Sequence, residues 1–253
     1  MTARAAGERQ CARRHKTEMD VSNETPDDRR AERDEMFSYY DAQADSYEDF
    51  YRGEGQAIAA LSSEYPIDTA GVAALLSGFG QGDVVDLACG TAFWLATYGP
   101  NCTTVTLVDQ SAAALARCRQ RIHELNLHDT AKVIQGDVFD VPLTAGGYDA
   151  GVVGFLLSHL TDRQTTELFD RLRRILRPGA TLAVMDSAWT EARQPYGNKD
   201  GFVRRALRDG RSFMIRKRYF DRADLDGLLG QQGFRVQSVY TGKVFIAVAA
   251  RVV

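Results

Sequence analysis

Hydrophobic positions change their spacing twice along this chain of 253 residues. Residues 1 to about 24 carry almost no apolar periodicity and read as a disordered tail. The tail's basic run (Arg4, Arg9, Arg13, Arg14, Lys16) fits a solvated segment better than a nucleic-acid arm. Thr25-Pro26-Asp27-Asp28 marks a helix start: a capping hydroxyl, a proline suited to the first turn, and carboxylates at the positive dipole end. Apolar positions then recur at Phe37, Tyr40, Ala44, Tyr47 and Tyr51. These steps of three and four predict one helix running to about Tyr51, where Arg52-Gly53-Glu54-Gly55 ends it. A second helix is expected after Pro66, from Asp68 towards Leu76.

From residue 83 short apolar runs alternate with amphipathic stretches. Strands are predicted at 83–87, 103–108, 131–135, 148–153 and 181–186, with helices at 92–98, from the cap Ser111 to about Leu125, and from the cap Asp162 to Arg177-Pro178-Gly179. Asp221 opens a last helix through Gln232. Runs at 233–240 and 243–250, joined at Thr241-Gly242, read as a hairpin that sets one strand antiparallel. The expected fold is α/β: a Rossmann-like, mainly parallel seven-stranded sheet with helices on both faces, one antiparallel C-terminal strand and an N-terminal cover helix.

Composition removes several alternatives. Net charge is −3, which argues against a dedicated nucleic-acid partner. No apolar run approaches the ~18 residues of a membrane span, and the first residues lack a signal-peptide core. Cys11, Cys89, Cys102 and Cys118 form no CxxC pair, so no metal site is expected and a reduced, cytoplasmic setting is the default.

The candidate chemistry lies at the strand tips. Val84-Val85-Asp86-Leu87-Ala88-Cys89-Gly90-Thr91-Ala92 runs from a strand through small residues into a helix, where open α/β sheets bind ligands. Nineteen residues after Gly90, Asp109 ends the second strand and can accept both hydroxyls of a ribose. Gly136-Asp137-Val138 ends the third strand and suits an adenine edge. A dinucleotide enzyme would carry G-x-G-x-x-G, but this window holds Gly90 alone.

These segments resemble those of the class I S-adenosylmethionine-dependent methyltransferases, of small-molecule type. The resemblance rests on Asp86-Leu87-Ala88-Cys89-Gly90-Thr91-Ala92, Leu107-Val108-Asp109-Gln110-Ser111, Gly136-Asp137-Val138 with Val141-Pro142-Leu143, Tyr148-Asp149, and Leu176-Arg177-Pro178-Gly179-Ala180. It covers about residues 36 to 250 and implies S-adenosylmethionine as cofactor. It also implies that Asp86, Ala88 and Gly90 meet the cofactor's methionine part, Asp109 its ribose, and Gln110, Asp137 and Val138 its adenine. Gly154 and Phe155 would face the methyl, with Tyr40 and Tyr47 closing over the sulfonium. The family usually has glycine at the positions of Ala88 and Ala92. Both are expected at negative φ, because positive φ costs alanine about 1 kcal/mol.

The acceptor side is read less directly. His159, after the fourth strand, is the candidate general base, against a structural histidine bonded to backbone. The stretch from Asn198 to Arg222 holds nine Lys/Arg (Lys199, Arg204, Arg205, Arg208, Arg211, Arg216, Lys217, Arg218, Arg222) against three acids, a local charge of +6. It suits an anionic acceptor. The competing reading pairs its arginines with cover-helix acids Glu32, Asp34, Asp41 and Asp45. Phe213 to Phe220 reads as an edge strand that aims Arg216 into the site, while Trp189, Tyr196 and Phe202 are further lining candidates. Trp94 reads as packing.

The expected organisation is a tail at 1–24 and a methyltransferase domain at 25–253, with cover helices at 25–78 and a substrate-side insertion at 194–220. The expected function is methyl transfer to an O, N, C or S atom of a small molecule. The alternative is a non-methylating enzyme or a cofactor-binding regulatory protein on the same fold.

Overall fold

A computed structural model describes residues 26–253, Gln56 and Arg208 excepted. The tail expected over 1–24, the cap Thr25 and Arg208 lie outside the described residues. Helix α1 spans Pro26–Gln43 and α2 Glu64–Leu76. The alternating region follows as β1 Gly82–Leu87, α3 Leu95–Tyr98, β2 Cys102–Asp109, α4 Ala112–Glu124, β3 Ala131–Gln135 and β4 Tyr148–Gly154. It continues with α5 Asp162–Ile175, β5 Leu176–Ser187, β6 Asp200–Ala206 and β7 Ser212–Arg218, and ends with α6 Arg222–Gln231, β8 Phe234–Thr241 and β9 Phe245–Val252.

Seven strands form one sheet in the order β3-β2-β1-β4-β5-β9-β8. The pairs β3–β2, β2–β1, β1–β4 and β4–β5 are parallel, and β9 is antiparallel to both neighbours. Alternate residues of each strand face opposite sides. Val85, Leu87 and Val153 therefore pack with Leu168 and Phe169 of α5 and Leu225 of α6. Val84, Val105 and Val152 pack with Val72 and Leu76 of α2 and Leu115 of α4. Both faces are covered, so the central strands read as near-continuous apolar runs. Strand order reverses between β1 and β4, which opens a crevice beyond their carboxyl ends.

Several expected boundaries are corrected. The cover helix stops at Gln43, and Tyr47–Arg52 forms a separate 3-10 turn. The break lets Tyr51 stack on Phe93 at 4.1 Å while Tyr47 stays edge-on to Tyr40 at 5.9 Å. A straight helix could not serve both contacts. Helix α2 starts before Pro66, which occupies the first turn, where its missing N–H leaves no bond unmade. Thr161 rather than Asp162 caps α5, in a reciprocal pair with Gln164. Arg177-Pro178-Gly179 belongs to β5 rather than to a turn. The run expected as an edge strand is β7, which pairs with β6 in a separate two-stranded sheet.

Candidate active site

The turn after β1 is left-handed three times: φ is 61° at Ala88, 56° at Gly90 and 56° at Ala92. The expectation of negative φ for the two alanines is therefore wrong. Each costs about 1 kcal/mol, and alanine is the smallest residue with a Cβ that can sit there. The bend is held by backbone bonds from Cys89 N to Val108 O (3.0 Å) and Ala92 N to Cys89 O (2.8 Å), and by Gly90 N donating to Asp109 Oδ2 (2.9 Å). The same coil delays α3 to Leu95, three residues after its expected start at Ala92.

Beyond this turn lies a cavity of about 170 Å³. All eleven residues expected to meet the cofactor line it: Tyr40, Tyr47, Asp86, Ala88, Gly90, Asp109, Gln110, Asp137, Val138, Gly154 and Phe155. A Cβ built on Gly90 would meet nothing within 4 Å. Asp109 sits at the tip of β2, its Oδ1 accepting from Ser111 N at 2.8 Å, and burial raises its pKa. Asp137 Oδ1 accepts from Phe139 N at 3.0 Å. Asp86 accepts from the Tyr98 hydroxyl at 2.5 Å, and burial pushes its pKa up to about 7. Trp94, read as packing, is 6% exposed and also lines this wall, as do Phe93 and Phe139.

The cover is tied down by side-chain bonds. Asp41 accepts from Ser111 Oγ at 2.6 Å, at the cap of α4. Glu48 accepts from Thr91 Oγ1 at 2.8 Å and Arg121 Nη2 at 2.7 Å. Tyr40 meets His159 edge-on, with ring centroids 5.2 Å apart, and its hydroxyl lies 2.7 Å from His159 Nε2. His159 Nδ1 lies 2.7 Å from the carbonyl of Arg216. A carbonyl only accepts, so Nδ1 carries the proton and Nε2 accepts from Tyr40. Burial, reinforced by the nearby Lys217 charge, holds the His159 pKa well below the usual range, so the ring is neutral. Burial likewise keeps the Tyr40 phenol protonated.

A second cavity, about 240 Å³, adjoins the first. Tyr40, Tyr47, Phe155 and His159 line both. Lys217 and Arg193 line the second cavity: Arg193 lies before the basic run and is not singled out by the sequence, while Lys217 belongs to that run but, alternating with Arg216 on β7, is not the residue expected to face the site. Tyr39, a buried residue of the cover helix at 2% exposure, lines the second cavity and packs on Phe213. Arg216 lines the first cavity and pairs with Asp200 at 3.3 Å. Trp189 lines neither; it lies against Tyr219, which fills the wall expected of it. Tyr196 lines the second cavity and Phe202 neither. Among the described residues, ion pairs of the insertion run to Asp162, Asp186, Asp200, Asp209, Asp221, Asp224 and Asp226.

Residues 84–179 match a family model described as a methyltransferase domain. The chain is 32% identical over 106 residues to 2-phytyl-1,4-naphtoquinone methyltransferase of Synechococcus elongatus, covering 41% of this chain and 45% of that protein. It is 26% identical over 108 residues to demethylmenaquinone methyltransferase of Lactiplantibacillus plantarum, covering 42% and 45%. The chain thus spans under half the length of these curated relatives. The solved structure of DhpI with SAM and HEP is 28% identical and superposes with a TM-score of 0.68, covering 87% of this chain and 97% of that one. The SAH complex of DhpI gives 0.66 at 28% identity, covering 86% and 95%. With the strand order, the left-handed turn and the strand-tip carboxylates, these likenesses identify residues 84–179 as a methyltransferase domain and the sheet as the Rossmann-like fold of the class I S-adenosylmethionine-dependent methyltransferases.

Proposed function

We propose that the chain transfers a methyl group from S-adenosylmethionine in the first cavity to a small molecule in the second. The observation that carries this reading is the wall common to both cavities: Tyr40, Tyr47, Phe155 and His159. Residues that line both cavities mark where the two adjoin, so an acceptor there reaches the methyl directly, as an in-line displacement requires, and alignment can supply ~7–11 kcal/mol of the barrier.

The residues of the first cavity fit the cofactor's chemistry. Asp109 and Asp137 have lone pairs for ribose hydroxyls and an adenine amine, and Val138 is an apolar neighbour for the ring. Rings of Tyr40, Tyr47 and Tyr51 line the cavity and suit a cation, each face worth ~0.5–2 kcal/mol. When bound, S-adenosylmethionine supplies a methyl carbon on a positively charged sulfur. The chain supplies alignment, a dry site and a route for the proton. An acceptor O–H or N–H hands its proton to the Tyr40 hydroxyl, which already donates to the neutral Nε2 of His159. The proton reaches the ring as the methyl is transferred, so no net charge is added to the buried site.

The family match ends at residue 179, ahead of Arg193 and Lys217. The quinone substrates named for the curated relatives are therefore not carried over to this chain. The test is incubation with methyl-labelled S-adenosylmethionine and a small-molecule extract. A labelled small product with stoichiometric S-adenosylhomocysteine is expected. Binding of the cofactor without labelling of any metabolite would favour a regulatory role instead.

A further inference from the structure

The second cavity concentrates positive charge. Arg193, Arg204, Arg205 and Lys217 line it, and among the described residues no Asp or Glu does. Arg193 is 4% exposed; its Nη2 donates to Val244 O at 3.0 Å and its guanidinium lies over the Tyr219 ring at 4.6 Å, yet its Nε is buried without a partner. Ser187 Oγ, also lining the cavity, is buried and unpartnered at 1% residue exposure. Burying such donors unmet is costly.

Lys217 donates to Ser158 Oγ at 2.7 Å and reaches Asp186 Oδ1 at 3.4 Å. Asp186 is the buried carboxylate that Lys217 contacts, and it also accepts from the backbone N–H groups of Ser158 (2.9 Å) and Ser187 (2.7 Å). One carboxylate cannot balance Lys217 and Arg193 together. Burial lowers the Lys217 pKa to about 8, the response of a cation short of counter-charge.

We infer that the second cavity takes a compact acceptor bearing an oxyanion, a carboxylate or a phosphoryl group, held by Arg193, Lys217, Arg205 and the Ser187 hydroxyl. The inference rests on the methyl-transfer reading, since it names the chemical class of that acceptor. The anion satisfies the Arg193 Nε and Ser187 Oγ and neutralises the excess charge. The tyrosines and His159 of the common wall face the rest of the molecule.

Calorimetry on protein saturated with S-adenosylhomocysteine tests this, with inorganic phosphate, acetate and neutral acetamide as probes. Saturable binding of phosphate or acetate, but not of acetamide, is expected, and the stronger of the two anions tells phosphoryl from carboxylate. Arg193→Gln and Arg205→Gln should each weaken that binding about tenfold, the loss of one charge-assisted bond. Affinity for S-adenosylhomocysteine should stay at the parent value. Arg205 is only half-buried, so its variant keeps the test open if Arg193→Gln misfolds. Normal cofactor binding with silent anions, acetamide binding as well as acetate, or anion affinity unchanged in folded Arg205→Gln overturns the inference alone. Absence of S-adenosylhomocysteine binding overturns the methyl-transfer reading, and this one with it.

Discussion

Tyr40 and His159 come from elements more than a hundred positions apart, yet their 2.7 Å contact determines what either can do. Sequence position alone marked His159 as a base, and the structure adds that its free nitrogen is already engaged by a phenol. That partner was not legible, because it depends on the angle at which α1 crosses the strand tips. The backbone bond from Nδ1 fixes the tautomer, as the structural reading of this histidine expected, and it leaves Nε2 as the acceptor that the proposed base needs. Tyr40→Phe breaks the relay while keeping the ring, and His159→Ala removes its end. Each is expected to lower kcat about a hundredfold for an acceptor that must lose a proton. The parent's rate should not fall on its acid side until well below the pKa of an ordinary histidine, because the ring stays neutral through that range. Full kcat in Tyr40→Phe would remove the relay.

Among elements, the strands from β1 to β5 and the closing pair β8 and β9 were legible because two-sided burial writes itself as apolar runs bounded by turns. The cover helix was legible only in part. Its apolar spacing continues unbroken through Ala44 and Tyr47, so nothing periodic marks the break; the stacking of Tyr51 on Phe93 produces it. Strand β6 was missed because Asp200–Ala206 is exposed or half-buried and pairs only with β7. The 3-10 turn after the break holds to the cofactor loop through Glu48, which grips Thr91 and Arg121. These groups are about a fifth exposed, so the pair with Arg121 outweighs an ordinary surface ion pair. Glu48→Ala should leave the fold intact but weaken S-adenosylhomocysteine binding roughly fivefold, about 1 kcal/mol of lost ordering. Amide exchange over Tyr47–Arg52 should quicken in parallel. Equal affinity and equal protection in the variant would show that the cover does not need this tether.

The whole molecule places its ligand sites beyond the strand tips, and the strain and buried charge gather there too. The left-handed alanines, the buried Asp86 and the half-buried Asp109 lie at or just beyond the ends of β1 and β2, and the cations of the second cavity line the space that adjoins them. Asp86 makes the stability cost measurable. In the fold it keeps its proton to about pH 7, against 3.8 for the free group, with burial outweighing the bond from Tyr98 and the repulsion of Asp109 adding to the rise. Between those values the folded state binds more protons than the unfolded one. Stability is therefore eroded as pH rises through this window, by up to about 1.4 kcal/mol per unit, and the full cost is present above it. Asp86→Asn removes the charge and keeps an acceptor for the Tyr98 hydroxyl. The ligand-free variant should gain stability over the parent as pH rises to 7, with a constant difference beyond, as read by urea unfolding across that range. His159 and Lys217 contribute slopes of their own, but these are common to both proteins and cancel. The cofactor carries an ammonium group, and a cation in the cavity draws the carboxylate back to its charged form. Affinity for S-adenosylhomocysteine should consequently rise with pH through the same window in the parent and stay flat in the variant. An affinity that follows the same pH curve in both would mean that Asp86 serves the fold through Tyr98 alone and that its charge plays no part in binding.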